Sequence, residues 1–177
     1  MTFSVVACDE KTGRIGVAVA SRFLAVGAHN SFARTNAGAV ANQGLLNPYW
    51  GPRALSLLGA GASPADTVRM LASADDGREL RQIVVMDRLG RLAAHTGTQC
   101  GEISGHRIGR TYAVAGNLLT SEDVLSAMAE TMESGHEIPF ARRLIAALQA
   151  GEKLGGDQLA RQSPSLLVHD AEEKALY

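Results

Sequence analysis

The feature that most narrows the fold of this chain is how small its strand residues are. Arg14 to Ser21 (R-I-G-V-A-V-A-S) and Gly38 to Gln43 (G-A-V-A-N-Q) carry strand-like patterning built largely from Gly, Ala and Val. A sheet with one wet face alternates apolar and polar side chains, whereas strands of this kind expect cover on both faces. Small side chains also let neighbouring layers approach closely, so stacked layers are the natural solution.

The rest of the chain reads as blocks of strands and helices. Residues 2–8 and 14–21, joined by the polar turn Asp9 to Gly13, form a hairpin. Residues 22–36 show no clear period. Gly38 to Gln43 is a third strand, Asn47-Pro48 a break, and Pro52 suits the first turn of a helix over about 52–60. Ser63 is expected to cap a second helix, with Pro64 at its first position, Asp66 in its first turn and Val68, Leu71 and Ala72 on its apolar face. Strands over 81–87 and 91–96 flank a turn at Arg88 to Gly90, and a strand over about 111–117 ends in Gly116-Asn117. Ser121 is expected to cap a helix reaching about Ser134. Pro139 to about Ala150 is another, closed by Gly151, and residues 162–169 form a last strand. Hairpin-joined strands imply largely antiparallel sheets, and helices arriving in pairs imply covering layers. The expected fold is α+β, a four-layer αββα sandwich of two mainly antiparallel sheets flanked by helices, in one domain over residues 1–177. A two-layer α+β sandwich is the alternative.

Composition removes several classes of function. A net charge of −1 with no basic stripe argues against a nucleic-acid partner. Cys8 and Cys100 are too few for a disulfide framework and form no CxxC pair. His29, His106, His136 and His169 lack ligand spacing, so neither a metal nor a cofactor is expected. No apolar run approaches ~18 residues, and the start lacks a basic segment followed by an apolar one. No membrane partner and a cytoplasmic location are therefore expected.

Chemistry concentrates at strand ends. Thr2 follows Met1 directly and opens the first strand. A threonine exposed at a chain terminus offers a hydroxyl nucleophile and an amine of reference pKa about 7.7–8.0, so one residue can be both attacking group and base. Threonine is equally at home as an ordinary strand residue. Asn117 stands where an oxyanion donor is useful, although Gly-Asn also serves turn geometry. His95, near a strand end, suits a site or a structural hydrogen bond. Asn42 and Gln43 either hold a substrate or pin neighbouring backbone. Tyr49 and Trp50 are expected in an exposed loop suited to ligand or subunit contacts, or tucked beneath it, and a homodimer or higher homo-oligomer is expected. Asp157 reads as a helix stop, and Arg142-Arg143 as a solvated face.

Several motifs occur together: V-A-V-A-S-R-F-L-A-V-G (17–27), A-N-Q-G…N-P-x-x-G-P (41–52), R-Q-I-V-V-M-D…G-R-x-A-A-H-T-G (81–97), G-N-L-L (116–119) and G-G-D…R-Q-S (155–163). In this order they resemble the family called domain of unknown function 1028, placed among proteins with the N-terminal nucleophile (Ntn) hydrolase fold. The resemblance implies the same αββα sandwich. It also implies that Thr2, exposed by removal of Met1, stands at the nucleophile position of an amide-bond hydrolase. Asn117 or a backbone N–H would then hold the oxyanion, and Ser21, Arg22, Asn42, Gln43 and His95 would contact a small amide or peptide-like substrate. Proteasome-type members carry an acid where this chain has Ser21, and a lysine on the third strand where it has none. Arg22, Ser21 or the terminal amine would then activate Thr2, in a pocket lined by Ser21 and Asn117. The alternative is a non-catalytic relative serving as a small-molecule-binding or assembly module.

Overall fold

A computed structural model describes residues 2–156 and 163–170. Two antiparallel sheets form the centre. Strands β1 (Thr2–Cys8), β2 (Ile15–Ser21), β7 (Gly105–Ile108), β8 (Tyr112–Asn117) and β9 (Ser163–His169) make one sheet in the order β7-β8-β1-β2-β9. Strands β3 (Ser31–Arg34), β4 (Gly38–Gly44), β5 (Arg81–Asp87) and β6 (Leu92–Thr96) make the other in the order β3-β4-β5-β6. Among the described residues five α-helices accompany them: α1 (Val26–His29), α2 (Trp50–Gly59), α3 (Pro64–Ser73), α4 (Asp123–Ser134) and α5 (Phe140–Lys153).

Three apolar cores explain the small strand residues. Val6, Val17, Val19, Ala39, Ala41, Val84, Met86, Ala113 and Ala115 pack between the sheets. Phe3, Val5, Ala18 and Val114, on the opposite face of the first sheet, pack against Met128 of α4 and Leu144 of α5. Val40, Ile83 and Val85, on the outer face of the second sheet, pack against Trp50, Leu58 and Leu71 of α2 and α3. Most strands are thus covered on both sides, and β1, β2, β4 and β8 are buried along nearly their whole length.

Local signals account for many boundaries. Gly13 closes the first hairpin with φ of 70° and donates its N–H to the Asp9 carbonyl at 2.7 Å. Ser63 caps α3, accepting the Asp66 N–H at 3.1 Å. Pro52 lies in the first turn of α2, as expected, but that helix begins earlier, at Trp50.

Other expectations are corrected. Trp50 opens a helix rather than lying in a loop and is buried, the tucked alternative of the two readings; Asn47 turns the chain into α2 by accepting the Tyr49 N–H on its side chain and the Trp50 N–H on its carbonyl. Tyr49 is exposed. Glu122 rather than Ser121 occupies the N-cap of α4. Gly151 does not close α5; it lies within the helix, packed on Met128 and Val124 of α4. Arg143 is buried rather than solvated, its guanidinium 5.7 Å from the Phe140 ring centroid and 3.3 Å from His136 Nδ1. The unassigned segment 22–36 supplies α1 and β3, and β7 was not anticipated. The expected stop at Asp157 lies outside the described residues, as does Met1. No helix among the described residues is long and apolar enough to cross a membrane.

Candidate active site

Strand register builds the site. Thr2 is paired with Ser21 of β2 on one side and Asn117 of β8 on the other. Alternation puts Thr2, Ser4 and Val6 on the face toward the second sheet, and paired residues share a face. Ser21, Thr2 and Asn117 therefore stand in a row at one end of the space between the sheets. The Thr2 and Ser21 hydroxyl oxygens are 3.0 Å apart, and Ser21 Oγ accepts the Phe23 N–H at 3.0 Å.

Across the gap, β4 and β5 answer with Gln43 and Gln82, themselves register partners. Gln82 Nε2 donates its two N–H groups to the carbonyl oxygens of Gly105 and Gly116, each at 2.9 Å, and lies 2.9 Å from Thr96 Oγ1. A backbone carbonyl can only accept, so these two contacts fix which end of the Gln82 amide is the NH2. Gln82 Oε1 must then face its other neighbours, and it accepts from Gln43 Nε2 at 2.6 Å and Asn117 Nδ2 at 3.0 Å. Two backbone oxygens thus orient three side-chain amides. Thr96 Oγ1 continues the chain to His106 Nδ1 at 2.8 Å, and burial, with a smaller contribution from His95, lowers the His106 pKa. Ser21, Gln43 and Gln82 are fully buried, and Thr2 is 3% exposed.

Not every expected residue joins this row. Asn42 and His95 both pair with Ile83, whose side chain lies in the core beneath α2 and α3, so they occupy the opposite face of the second sheet. Asn42 Nδ2 donates to the Asn47 carbonyl at 2.8 Å, pinning the entry to α2. His95 Nε2 lies 2.9 Å from the Arg78 carbonyl oxygen, and its ring lies near Trp50. Both make structural contacts away from Thr2. Arg22 is exposed in the loop that follows Ser21. Gln82 was not singled out in the sequence, although it is the hub. The available signal was a lone amide inside R-Q-I-V-V-M-D, in phase with the buried Val84 and Met86.

Chemically the row offers a hydroxyl beside a second hydroxyl and an oriented amide donor. The side-chain partners of Thr2 and Asn117, Ser21 Oγ and Gln82 Oε1, are neutral. Among the described residues no group of three or more His, Cys, Asp or Glu could hold a metal ion. Burial pushes the thiols of Cys8 and Cys100 up, which disfavours the reactive thiolate. Ser21 and Asn117 flank Thr2, but all three are buried rather than lining an open pocket, and a cavity of about 520 Å³ lies elsewhere, between α5 and the outer face of β1, β2 and β9, lined by Phe3, Ala18, Leu148 and Leu166.

Comparison with known proteins agrees with this chain-wide pattern. Residues 2–177 match the family described as Family of unknown function (DUF1028). The chain is similar in structure to protein SPO2555 from Silicibacter pomeroyi, a crystal structure assigned to the same family. Identity is 38% and the TM-score 0.89, over 96% of this chain and 76% of that one. No curated protein matches.

Proposed function

The chain belongs to the DUF1028 family, and from that footing we propose that it is an amide-bond hydrolase of the N-terminal nucleophile type with Thr2 as nucleophile. The layered arrangement of helices, two sheets and helices is then the αββα sandwich of that superfamily. One observation carries the reading: Thr2 heads the central strand of its sheet, faces the second sheet, and is flanked by Ser21 and by the oriented amide of Asn117.

Excision of Met1 frees the Thr2 amine, whose reference pKa of about 7.7–8.0 lets it act as base near neutrality. Thr2 Oγ1 adds to the amide carbonyl carbon while its proton passes to that amine. One Asn117 N–H is engaged by Gln82; the other donates to the oxyanion. The C–N bond then breaks, the amine protonates the leaving nitrogen, and the acyl group remains as an ester on Thr2. Water hydrolyses the ester, releases the carboxylic acid and restores the hydroxyl.

Intact mass of protein from its native host tests this directly. Loss of Met1 is expected, together with an acyl adduct from an electrophilic amide probe that Thr2→Ala abolishes. Complete retention of Met1 would sink the mechanism. The 3% exposure of Thr2 favours a second reading, a non-catalytic binding or assembly module; an unlabelled Thr2 in protein lacking Met1 selects it.

A further inference from the structure

Gln43 holds an unused hydrogen-bonding group in this site. Its Nε2 is committed to Gln82 Oε1 at 2.6 Å, an orientation imposed by the two backbone carbonyls that fix Gln82. Its own Oε1 therefore points away from Gln82, and that atom is buried with no hydrogen-bond partner. A buried acceptor left unpaired is destabilising, so such groups are normally satisfied in the working molecule. β4 packs across the gap from β1 and β2, and at this end the inward residues of those strands are Thr2 and Ser21. The acceptor thus belongs to the same end of the gap as the nucleophile. Asn117 spends one N–H on the same oxygen of Gln82 and, in the proposed mechanism, keeps the other for the oxyanion. One amide group thus presents N–H and the other C=O, the complement of a carboxamide's own C=O and N–H.

Resting on the reading of Thr2 as nucleophile, we infer that Gln43 is a specificity-determining residue: its carbonyl oxygen accepts the N–H of the scissile amide, so the site takes primary and secondary carboxamides and rejects tertiary ones. A tertiary amide would leave Gln43 Oε1 buried and unpaired, and sites built to bond a polar hydrogen discriminate strongly against analogues lacking it. The loops leaving β2, β4 and β8 carry the exposed residues Phe23, Leu24, Leu45 and Leu118, which suits an apolar acyl group.

The test uses the whole chain lacking Met1 and three probes with one acyl group: phenyl hexanoate, hexananilide and N-methylhexananilide. Acylation of Thr2 by the ester reports the nucleophile alone. Hexananilide is expected to protect Thr2 from the ester at concentrations about tenfold lower than N-methylhexananilide. Gln43→Met is expected to erase that difference, the two anilides then protecting Thr2 at equal concentrations, whatever the rate at which the ester reacts with that variant. Equal protection by the two anilides in the unaltered protein overturns the role of Gln43 and leaves the nucleophile standing, and needs no variant to fold. A preference that survives in folded Gln43→Met overturns it equally. Failure of the ester to acylate Thr2 overturns both readings.

Discussion

At the scale of single residues, adjacent positions on one strand have opposite fates. Asn42 and Gln43 follow each other in β4, so their side chains must leave on opposite faces. One anchors the start of α2 and the other enters the site. Parity was legible in the sequence; which parity faces the second sheet was not, because both faces of β4 are apolar and covered. The same ambiguity made His95 a site candidate, and Gln82 passed unnoticed because its meaning lies in four strands meeting at one amide. Asn117→Ala is expected to slow acylation of Thr2 about 100-fold, read as the rate of adduct formation with the phenyl ester. A second residue-scale prediction concerns Asp75. Burial raises its pKa, but hydrogen bonds from Asn47, Arg81 and the Gly77 N–H outweigh this and hold the carboxylate below its ordinary range. A carboxylate with a depressed folded pKa stabilises fully above its unfolded value of about 3.9, and that stability is lost as pH falls through the folded value. Asp75→Asn is therefore expected to cost about 2 kcal/mol at pH 7 in urea unfolding. The difference from the unaltered protein should close only below about pH 4. A pH-independent difference would contradict the assignment.

Among elements, the pairing of α4 with α5 shows how a glycine can be misread. Gly151 looked like a helix stop, yet α5 runs on to Lys153 and uses the missing side chain for close approach. A Cβ there would lie 2.9 Å from Met128 Cγ and 3.2 Å from Val124 Cγ1. Gly151→Ala gains about 1 kcal/mol of helix propensity but overpacks the contact by roughly 1–3 kcal/mol. The net expectation is a loss of about 1 kcal/mol in thermal or urea unfolding. Met128→Ala in the same chain should restore tolerance at position 151; if it does not, the helix contact is not what the glycine serves. The buried Arg143 follows the same logic. It falls in phase with Phe140, Leu144 and Ala147, a helical period that a charged pair read as surface had concealed.

For the molecule as a whole, three cores meet on a few strands. β1, β2 and β5 are buried on both faces and paired on both edges, whereas β7 is an edge strand with three of its four residues exposed. Amide hydrogen exchange is expected to be slowest in β1, β2 and β5 and orders of magnitude faster in β7. Comparable protection of β7 would mean that another surface covers that edge. Much of this architecture was readable in advance. Gly, Ala and Val strands demanded cover on both faces, hairpins demanded antiparallel pairing, and Thr2, Ser21 and Asn117 were each visible at a strand end. These are local properties, set by side-chain volume, alternation and turn chemistry, and so they survive in a one-dimensional record. The register that lines those three residues up, the sheet face on which Gln43 and Gln82 meet them, and the amide orientations dictated by Gly105 and Gly116 depend on strands up to 115 residues apart. Such pairings carry no local signal, because the same small residues would satisfy either face. Packing alone chose the face, and with it the chemistry placed beside Thr2.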